Sequence, residues 1–168
     1  RYMPLAKPRL SPPMAAHSCC RDERVEAVAV LSGTPAPYPG GKYSFTDMPP
    51  FLAVHGTADP VVPYGGGIMN GRGGTSDIMS APALAERWRE MDRCPGPLVG
   101  DPASTGEVQE MTATGCAGNT EVTLVRINGG GHTWPAGRFS LPADVVGPTS
   151  FAVNASAASA EFFAAQIS

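Results

Sequence analysis

Two loop segments of this chain carry residues that could perform acid–base chemistry. The first is INGGGHTWPAG, residues 127–137, in which three glycines precede His132 and Trp134 follows it. Glycines permit positive φ angles and close approach of the backbone to another group. An imidazole titrates near neutral pH and can act as a general base. The same pattern also fits a histidine that caps a turn and bonds a carbonyl group, and the residues alone leave both interpretations open.

The second segment is HGTADPVVPYGG, residues 55–66, which carries Asp59. Pro60 and Pro63 restrict the backbone of the turn on which this carboxylate lies. A carboxylate here could accept a hydrogen bond from an imidazole and fix its tautomer, which is the orienting role of aspartate in a Ser-His-Asp triad. The alternative is an Asx-turn, in which the aspartate side chain bonds only its own backbone.

Apolar runs predict the strands that place both segments. Residues 25–33 and 51–56 are short, apolar and closed by glycine, as is typical of buried parallel strands. Residues 121–127 predict a further strand directly before the glycine-rich loop of His132. Ligands of α/β proteins bind beyond the carboxyl ends of such strands, so the pattern favours a site at that edge of the sheet.

Two helices are predicted between and after these strands. Residues 80–91 begin with Ser80 as an N-cap and carry an apolar stripe at helical spacing, formed by Leu84, Trp88 and Met91. Residues 154–167 begin with Asn154 as a cap, and three apolar residues are predicted to face inward, namely Phe162, Phe163 and Ile167. The order strand, strand, helix, strand, helix predicts an α/β layered fold.

Length and charge exclude several classes of protein. The 168 residues predict about one domain, and the net charge of −3, without clustered Lys or Arg, argues against a nucleic-acid or anionic-membrane partner. The sequence contains no apolar run of the roughly 18 residues that a transmembrane helix needs. It begins Arg-Tyr-Met without a signal-peptide pattern, so we expect either a removed leader or a piece of a longer protein.

Three motifs together resemble a known family. HGTADPVVPYGGG, GGGHTWPAG and VGPTSFAVNASAASAEFFA resemble the carboxyl-terminal half of the polyhydroxybutyrate depolymerase and feruloyl esterase-like family of α/β-hydrolases, over roughly residues 14–168. The resemblance implies that Asp59 is the acid and His132 the base of a triad, in the chain order of that fold. Trp134 matches an aromatic residue beside the base, which implies that it lines the acyl or alcohol pocket; plain packing is the alternative.

The resemblance also implies a fold and a ligand class. It implies a partial α/β-hydrolase fold, consisting of the last strands of a mostly parallel sheet with flanking helices. Residues 1–24 are then an irregular remnant of the nucleophile region, and residues 25–168 the carboxyl-terminal part of one hydrolase domain. The implied partner is a polymer or plant cell-wall ester, with no nucleic acid, membrane, cofactor or metal.

The family's nucleophile motif, G-x-S-x-G, does not occur in this sequence. Its nearest counterpart places Ser11 at the nucleophile position, but Arg9 and Pro13 stand where glycines are needed in a strained turn. Pro12 also removes a backbone N–H that would serve an oxyanion hole. Ser11 is therefore predicted to be a loop serine, and the nucleophile stays unknown. Ser32 is another serine at a strand end, but its neighbours do not form the motif either.

The early oxyanion loop of the family is missing as well. His55 and Gly56 do not replace it, because they are followed by Thr-Ala-Asp rather than by further glycines. His55 is predicted to be structural.

Four cysteines bear on the compartment of the protein. Cys94 and Cys116 match a cysteine pair of the family, which implies a disulfide and hence a secreted or periplasmic protein. Cys19 and Cys20 are adjacent and cannot easily pair with each other. No C-x₂-C spacing occurs, so a zinc site is not expected.

The leading hypothesis is a secreted serine esterase whose acid and base lie in this chain. Two alternatives stay open: a non-catalytic relic of a truncated or degenerate hydrolase, which the absent nucleophile motif favours, and a peptidase built on the same fold.

Overall fold

The computed structural model describes residues 27–34, 48–71, 74–104 and 106–166. In these ranges a five-stranded sheet has the strand order β1-β2-β7-β6-β5, and β3 and β4 form a separate hairpin. The strands are β1 (Val28–Leu31), β2 (Phe51–Gly56), β3 (Gly67–Gly71), β4 (Gly74–Ile78), β5 (Val99–Gly100), β6 (Val108–Ala113) and β7 (Val122–Ile127). The helices are α1 (Ala81–Met91), α2 (Ala143–Val146), α3 (Ala155–Ala165) and a 3₁₀ turn, Ala117–Asn119. This arrangement confirms the predicted α/β class.

The three predicted strands lie side by side in the sheet. β1 pairs with β2 and β2 with β7, both in parallel, and every residue of β2 is buried. Gly56, the last residue of β2, lies opposite Ile127, the last residue of β7. The loops that follow these two strands therefore leave the sheet next to each other, at its carboxyl edge.

The sheet is mixed and not mostly parallel, which corrects the prediction. β6 pairs antiparallel with both β7 and β5. These two strands lie in the hydrophilic segment between α1 and β7. Most residues of β5 and β6 are at least partly exposed, so this segment lacks the continuous apolar run from which buried strands can be predicted.

Helix α1 covers one face of the sheet. Its cap forms as predicted, because the Ser80 side chain accepts a hydrogen bond from the backbone N–H of Ala83 at 3.1 Å. The Trp88 ring stacks on Phe51 with centroids 4.1 Å apart, and its Nε1 donates to the Pro49 carbonyl at 3.1 Å. Trp88 thus joins the helix to the start of β2.

Helix α3 covers the opposite face, but with fewer apolar residues than predicted. Phe162 is buried against residues of the two central strands, namely Leu52, Val54, Val125 and Ile127. Phe163 is 38% exposed, so its predicted inward orientation is wrong. Consecutive residues of a helix point about 100° apart, so both phenylalanines cannot face one narrow contact. Ile167 lies outside the described residues.

A disulfide joins Cys94, just after α1, to Cys116, at the start of the 3₁₀ turn. The two residues are 22 positions apart in sequence, and their Cα atoms lie 3.9 Å apart, closer than is usual for disulfides. Cys19 and Cys20 lie outside the described residues. None of the described helices is long and apolar enough to cross a membrane.

Candidate active site

Asp59 lies three residues beyond β2, and its side chain is fully buried. Oδ1 accepts hydrogen bonds from the backbone N–H groups of Val61 and Val62, both at 2.8 Å. The predicted Asx-turn therefore forms. It occupies only one carboxylate oxygen and leaves Oδ2 for another donor.

His132 supplies that donor from the loop after β7. Its Nδ1 lies 2.9 Å from Oδ2 of Asp59. The backbone N–H of His132 donates to the carbonyl of Val146, at the end of α2, so the loop is held on its other side too. The His132 side chain is 35% exposed. The structure thus brings together the two residues that the sequence singles out, one buried and one open to solvent.

Glycines are needed where the two loops meet. A Cβ atom on Gly56 would lie 2.1 Å from the carbonyl oxygen of Gly130, and one on Gly131 would lie 2.3 Å from that of Val146. The N–H of Ala58 donates to the same Gly130 carbonyl at 2.9 Å. Gly56 therefore lets the backbone of the acid loop approach Gly130, and Gly131 lets the His132 loop approach the end of α2.

The surroundings of Asp59 favour its ionised form. Burial alone would raise the pKa of Asp59, but hydrogen bonds from His132, His55 and the Val62 N–H, together with the nearby His132 charge, hold the pKa well below its usual range. An ionised carboxylate only accepts hydrogen bonds, so Nδ1 of His132 is the donor. In a neutral imidazole this leaves Nε2 without a hydrogen, as a general base requires.

Trp134 lies two residues beyond His132 and is 46% exposed. Its Nε1 donates to Oγ of Ser156, in the first turn of α3, at 3.0 Å. This bond orients the indole while leaving nearly half of the side chain open. Such exposure differs from that of a core packing residue, and it leaves apolar surface available close to His132.

Among the residues that the structure describes, no nucleophile is identified beside His132. Ser11 lies outside the described residues. Within the described ranges, no serine is hydrogen-bonded to Nε2 of His132. Ser32 lies at the end of β1 and lines a shallow groove at the carboxyl edge of the sheet, with Gly130, Gly131, Thr133 and Ser150 among its other lining residues. Its φ of +47° is unusual for a residue other than glycine, and the sequence gives no signal of it.

His55 has a contact that sequence reasoning missed. It is buried near the end of β2, and its Nε2 lies 2.9 Å from the Val62 carbonyl oxygen and 3.5 Å from Oδ2 of Asp59. The spacing of four residues between His55 and Asp59 was a signal that could have been noticed. It was not decisive, because residues four apart meet reliably only on a helix.

One group of potential metal ligands occurs in the described part of the chain. It consists of Asp92, Cys94 and Cys116, all buried. The two sulfur atoms are bonded to each other. Cysteine binds a metal as its thiolate, so this group does not fit a metal centre while the disulfide is intact.

Comparison with known proteins gives a distant relationship. No protein-family model matches the chain. Feruloyl esterase B of Piromyces equi is 34% identical to it over an alignment of 113 residues that covers 61% of this chain and 20% of that protein. The chain thus spans about a fifth of the length of the curated relative it matches. This similarity supports an esterase-like relationship.

Proposed function

We propose that the protein is a serine-type carboxylic ester hydrolase, and that this chain supplies the acid and the base of its Ser-His-Asp triad. The observation that carries the proposal is the 2.9 Å hydrogen bond between the buried Asp59 carboxylate and Nδ1 of the partly exposed His132. The distant similarity to a feruloyl esterase supports the same reaction class.

The reaction follows from the orientation of the imidazole. Nε2 of His132 removes the proton of a serine hydroxyl while the serine oxygen attacks the ester carbonyl carbon. The imidazolium then returns this proton to the departing alcohol, which leaves an acyl-enzyme. Water, deprotonated in turn by Nε2, attacks the acyl group, and the serine recovers its proton. Asp59 stays ionised throughout and stabilises the imidazolium.

The proposal includes a substrate class and a fold. Polyhydroxyalkanoate, feruloyl and acetyl-xylan esters are the candidates, and the relative named feruloyl esterase favours the second. Trp134 would line the acyl or alcohol pocket with its exposed indole face. Residues 25–168 would be the carboxyl-terminal part of one α/β-hydrolase domain, and the parallel β1, β2 and β7 fit its last strands. The Cys94–Cys116 disulfide is consistent with a secreted or periplasmic enzyme.

Hydrolysis of short-chain, hydroxycinnamoyl and hydroxyalkanoate esters by the 168-residue chain tests the proposal. We expect a low turnover, still above the buffer rate, that falls to background in His132→Ala and Asp59→Asn and that survives in Gly65→Ala. Gly65 is a suitable control because a Cβ there would meet nothing within 4 Å. Equal turnover in His132→Ala would rule out the pair as catalytic. No turnover with any ester would favour the non-catalytic relic, which the absent G-x-S-x-G motif already makes the second candidate.

A further inference from the structure

Nε2 of His55 lies close to Asp59, the acid of the proposed triad. It lies on β2, the most buried strand of the sheet, and its Nε2 is 2.9 Å from the Val62 carbonyl oxygen and 3.5 Å from Oδ2 of Asp59. A carbonyl oxygen and an ionised carboxylate can only accept hydrogen bonds. Nε2 therefore carries the hydrogen, directed mainly at Val62 and secondarily at the carboxylate.

Val62 links this ring to Asp59 a second time. Its N–H donates to Oδ1 of Asp59, while its carbonyl accepts from His55. The His55 imidazole, the Val62 backbone and the Asp59 carboxylate thus each contact the other two. The Tyr64 ring packs against the imidazole in a T-shaped arrangement, with centroids 5.7 Å apart and an angle of 78° between the planes.

From these three contacts we infer that His55 is a positioning residue that acts through Asp59 on His132. The two backbone donors fix Oδ1, and Nε2 of His55 lies 3.5 Å from Oδ2, the oxygen that also contacts His132. Oδ2 then stays in the position from which it accepts the hydrogen on Nδ1 of His132. Nε2 of His132 therefore carries no hydrogen and can act as a base. This inference rests on the proposed function, because the position of Asp59 matters chemically only if His132 is a base.

A histidine that merely filled the core would need its volume but no N–H at this position. Three substitutions separate the two roles. His55→Gln keeps a donor near the position of Nε2, His55→Asn keeps an amide that is too short to reach there, and His55→Leu keeps the volume alone. If the donor matters, His55→Gln should resemble the unmodified protein and the other two should not.

Imidazole nitrogen NMR of the 168-residue chain, which contains three histidines, gives a readout independent of ester turnover. We expect an Nε2–H tautomer at His55 and an Nδ1–H tautomer at His132. In His55→Leu and His55→Asn, solvent exchange of the His132 Nδ1–H should accelerate by about three- to tenfold, as expected for loss of one hydrogen bond. His55→Gln should restore slow exchange.

Asp59→Asn separates failure of this inference from failure of the proposed function. Unchanged exchange in Asp59→Asn would mean that the acid–base pair itself is wrong. Accelerated exchange in Asp59→Asn with none in folded His55→Leu or His55→Asn would overturn only the role of His55. If His55→Leu and His55→Asn both unfold, the inference is tested by NMR of the unmodified chain. A His55 Nε2–H that exchanges as fast as in free histidine, or an Nδ1–H tautomer at His55, overturns the inference, whereas a protected Nε2–H supports it.

Discussion

Each oxygen of the Asp59 carboxylate has its own donors. Oδ1 accepts hydrogen bonds from two backbone N–H groups of the turn that carries the residue, and Oδ2 accepts one from Nδ1 of His132. The first set fixes the side chain relative to β2, and the second connects it to the loop after β7. An amide at this position has one acceptor oxygen and one NH₂ group, so it cannot serve both sets of donors.

This arrangement predicts how stability depends on pH. The pKa of Asp59 is lower in the folded chain than its value of about 3.9 in an unfolded one. Its contribution to the free energy of unfolding is therefore fully present above about pH 5 and is lost as the pH falls through the folded-state pKa. We expect Asp59→Asn to lose about 1.5–3 kcal/mol at pH 7, as for hydrogen bonds to a charged group, and to show a weaker decline in acid.

Urea unfolding of both proteins between pH 7 and pH 2 measures these effects. Parallel curves with a constant difference between the two proteins at every pH would contradict the prediction, because the Asp59 titration would then make no contribution.

At the residue scale, the contact between Asp59 and His132 could be predicted, because each follows a predicted strand at the same edge of the sheet. Their roles as acid and base stay a prediction. The positive φ of Ser32 could not be predicted, since the residue that usually adopts such angles is the next one, Gly33. The exposure of Phe163 was also missed. Its neighbour Phe162 fills the contact with the sheet, and two adjacent apolar residues do not show which of them is buried.

At the scale of the elements, the loop after β2 and the loop after β7 come into close backbone contact at Gly56 and Gly130. A second prediction follows from this contact. A Cβ on Gly56 would lie 2.1 Å from the Gly130 carbonyl oxygen, so Gly56→Ala must push apart the loops of Asp59 and His132. We expect a loss of about 1–3 kcal/mol in the free energy of unfolding, as in overpacked cores, together with a disturbed His132 tautomer.

Gly65→Ala is the matched control for Gly56→Ala, because its Cβ would lie in open space within the same loop region. Thermal unfolding and imidazole NMR of the two variants make the comparison. Equal stability of the two variants would show that the loops are not in the close contact described.

The Cys94–Cys116 disulfide connects the end of α1 to the turn before β7. A bond that closes a segment of this length stabilises the chain by roughly 3 kcal/mol, mainly by restricting the unfolded state. We expect the Cys94→Ala/Cys116→Ala double variant to unfold at correspondingly lower denaturant concentration. Thiol alkylation of the unreduced protein should leave this pair unmodified, and four reactive thiols would contradict the disulfide.

Strong local signals explain which elements could be predicted. β2, β7 and the caps of α1 and α3 follow from buried apolar runs and from Ser80 and Asn154. The β3–β4 hairpin and strands β5 and β6 were missed. Their residues are largely exposed, so no hydrophobic alternation marks them, and their pairing depends on contacts distant in sequence.

At the scale of the whole molecule, the described part of the chain holds the proposed acid–base pair, and no nucleophile is identified within it. Among the described strands, β1 pairs on one side only, with β2, and its residues are apolar. An unpaired apolar edge favours association between chains. Activity measurements should therefore be accompanied by a determination of oligomeric state.

The last prediction is that the chain as given is a poor esterase. Pro12 and Pro13 after Ser11, with Arg9 before it, do not reproduce a turn that needs small residues, and Pro12 cannot offer an N–H to an oxyanion. Loss of one oxyanion donor alone lowers the rate by about 10²–10³-fold. Hydrolysis of a short-chain chromogenic ester by Ser11→Ala, Ser32→Ala and His132→Ala provides the test. Robust turnover that is lost in both Ser11→Ala and His132→Ala would contradict the prediction and complete the triad with Ser11. Turnover lost in His132→Ala and Ser32→Ala, but kept in Ser11→Ala, would make Ser32 the nucleophile and give its positive φ a catalytic reason.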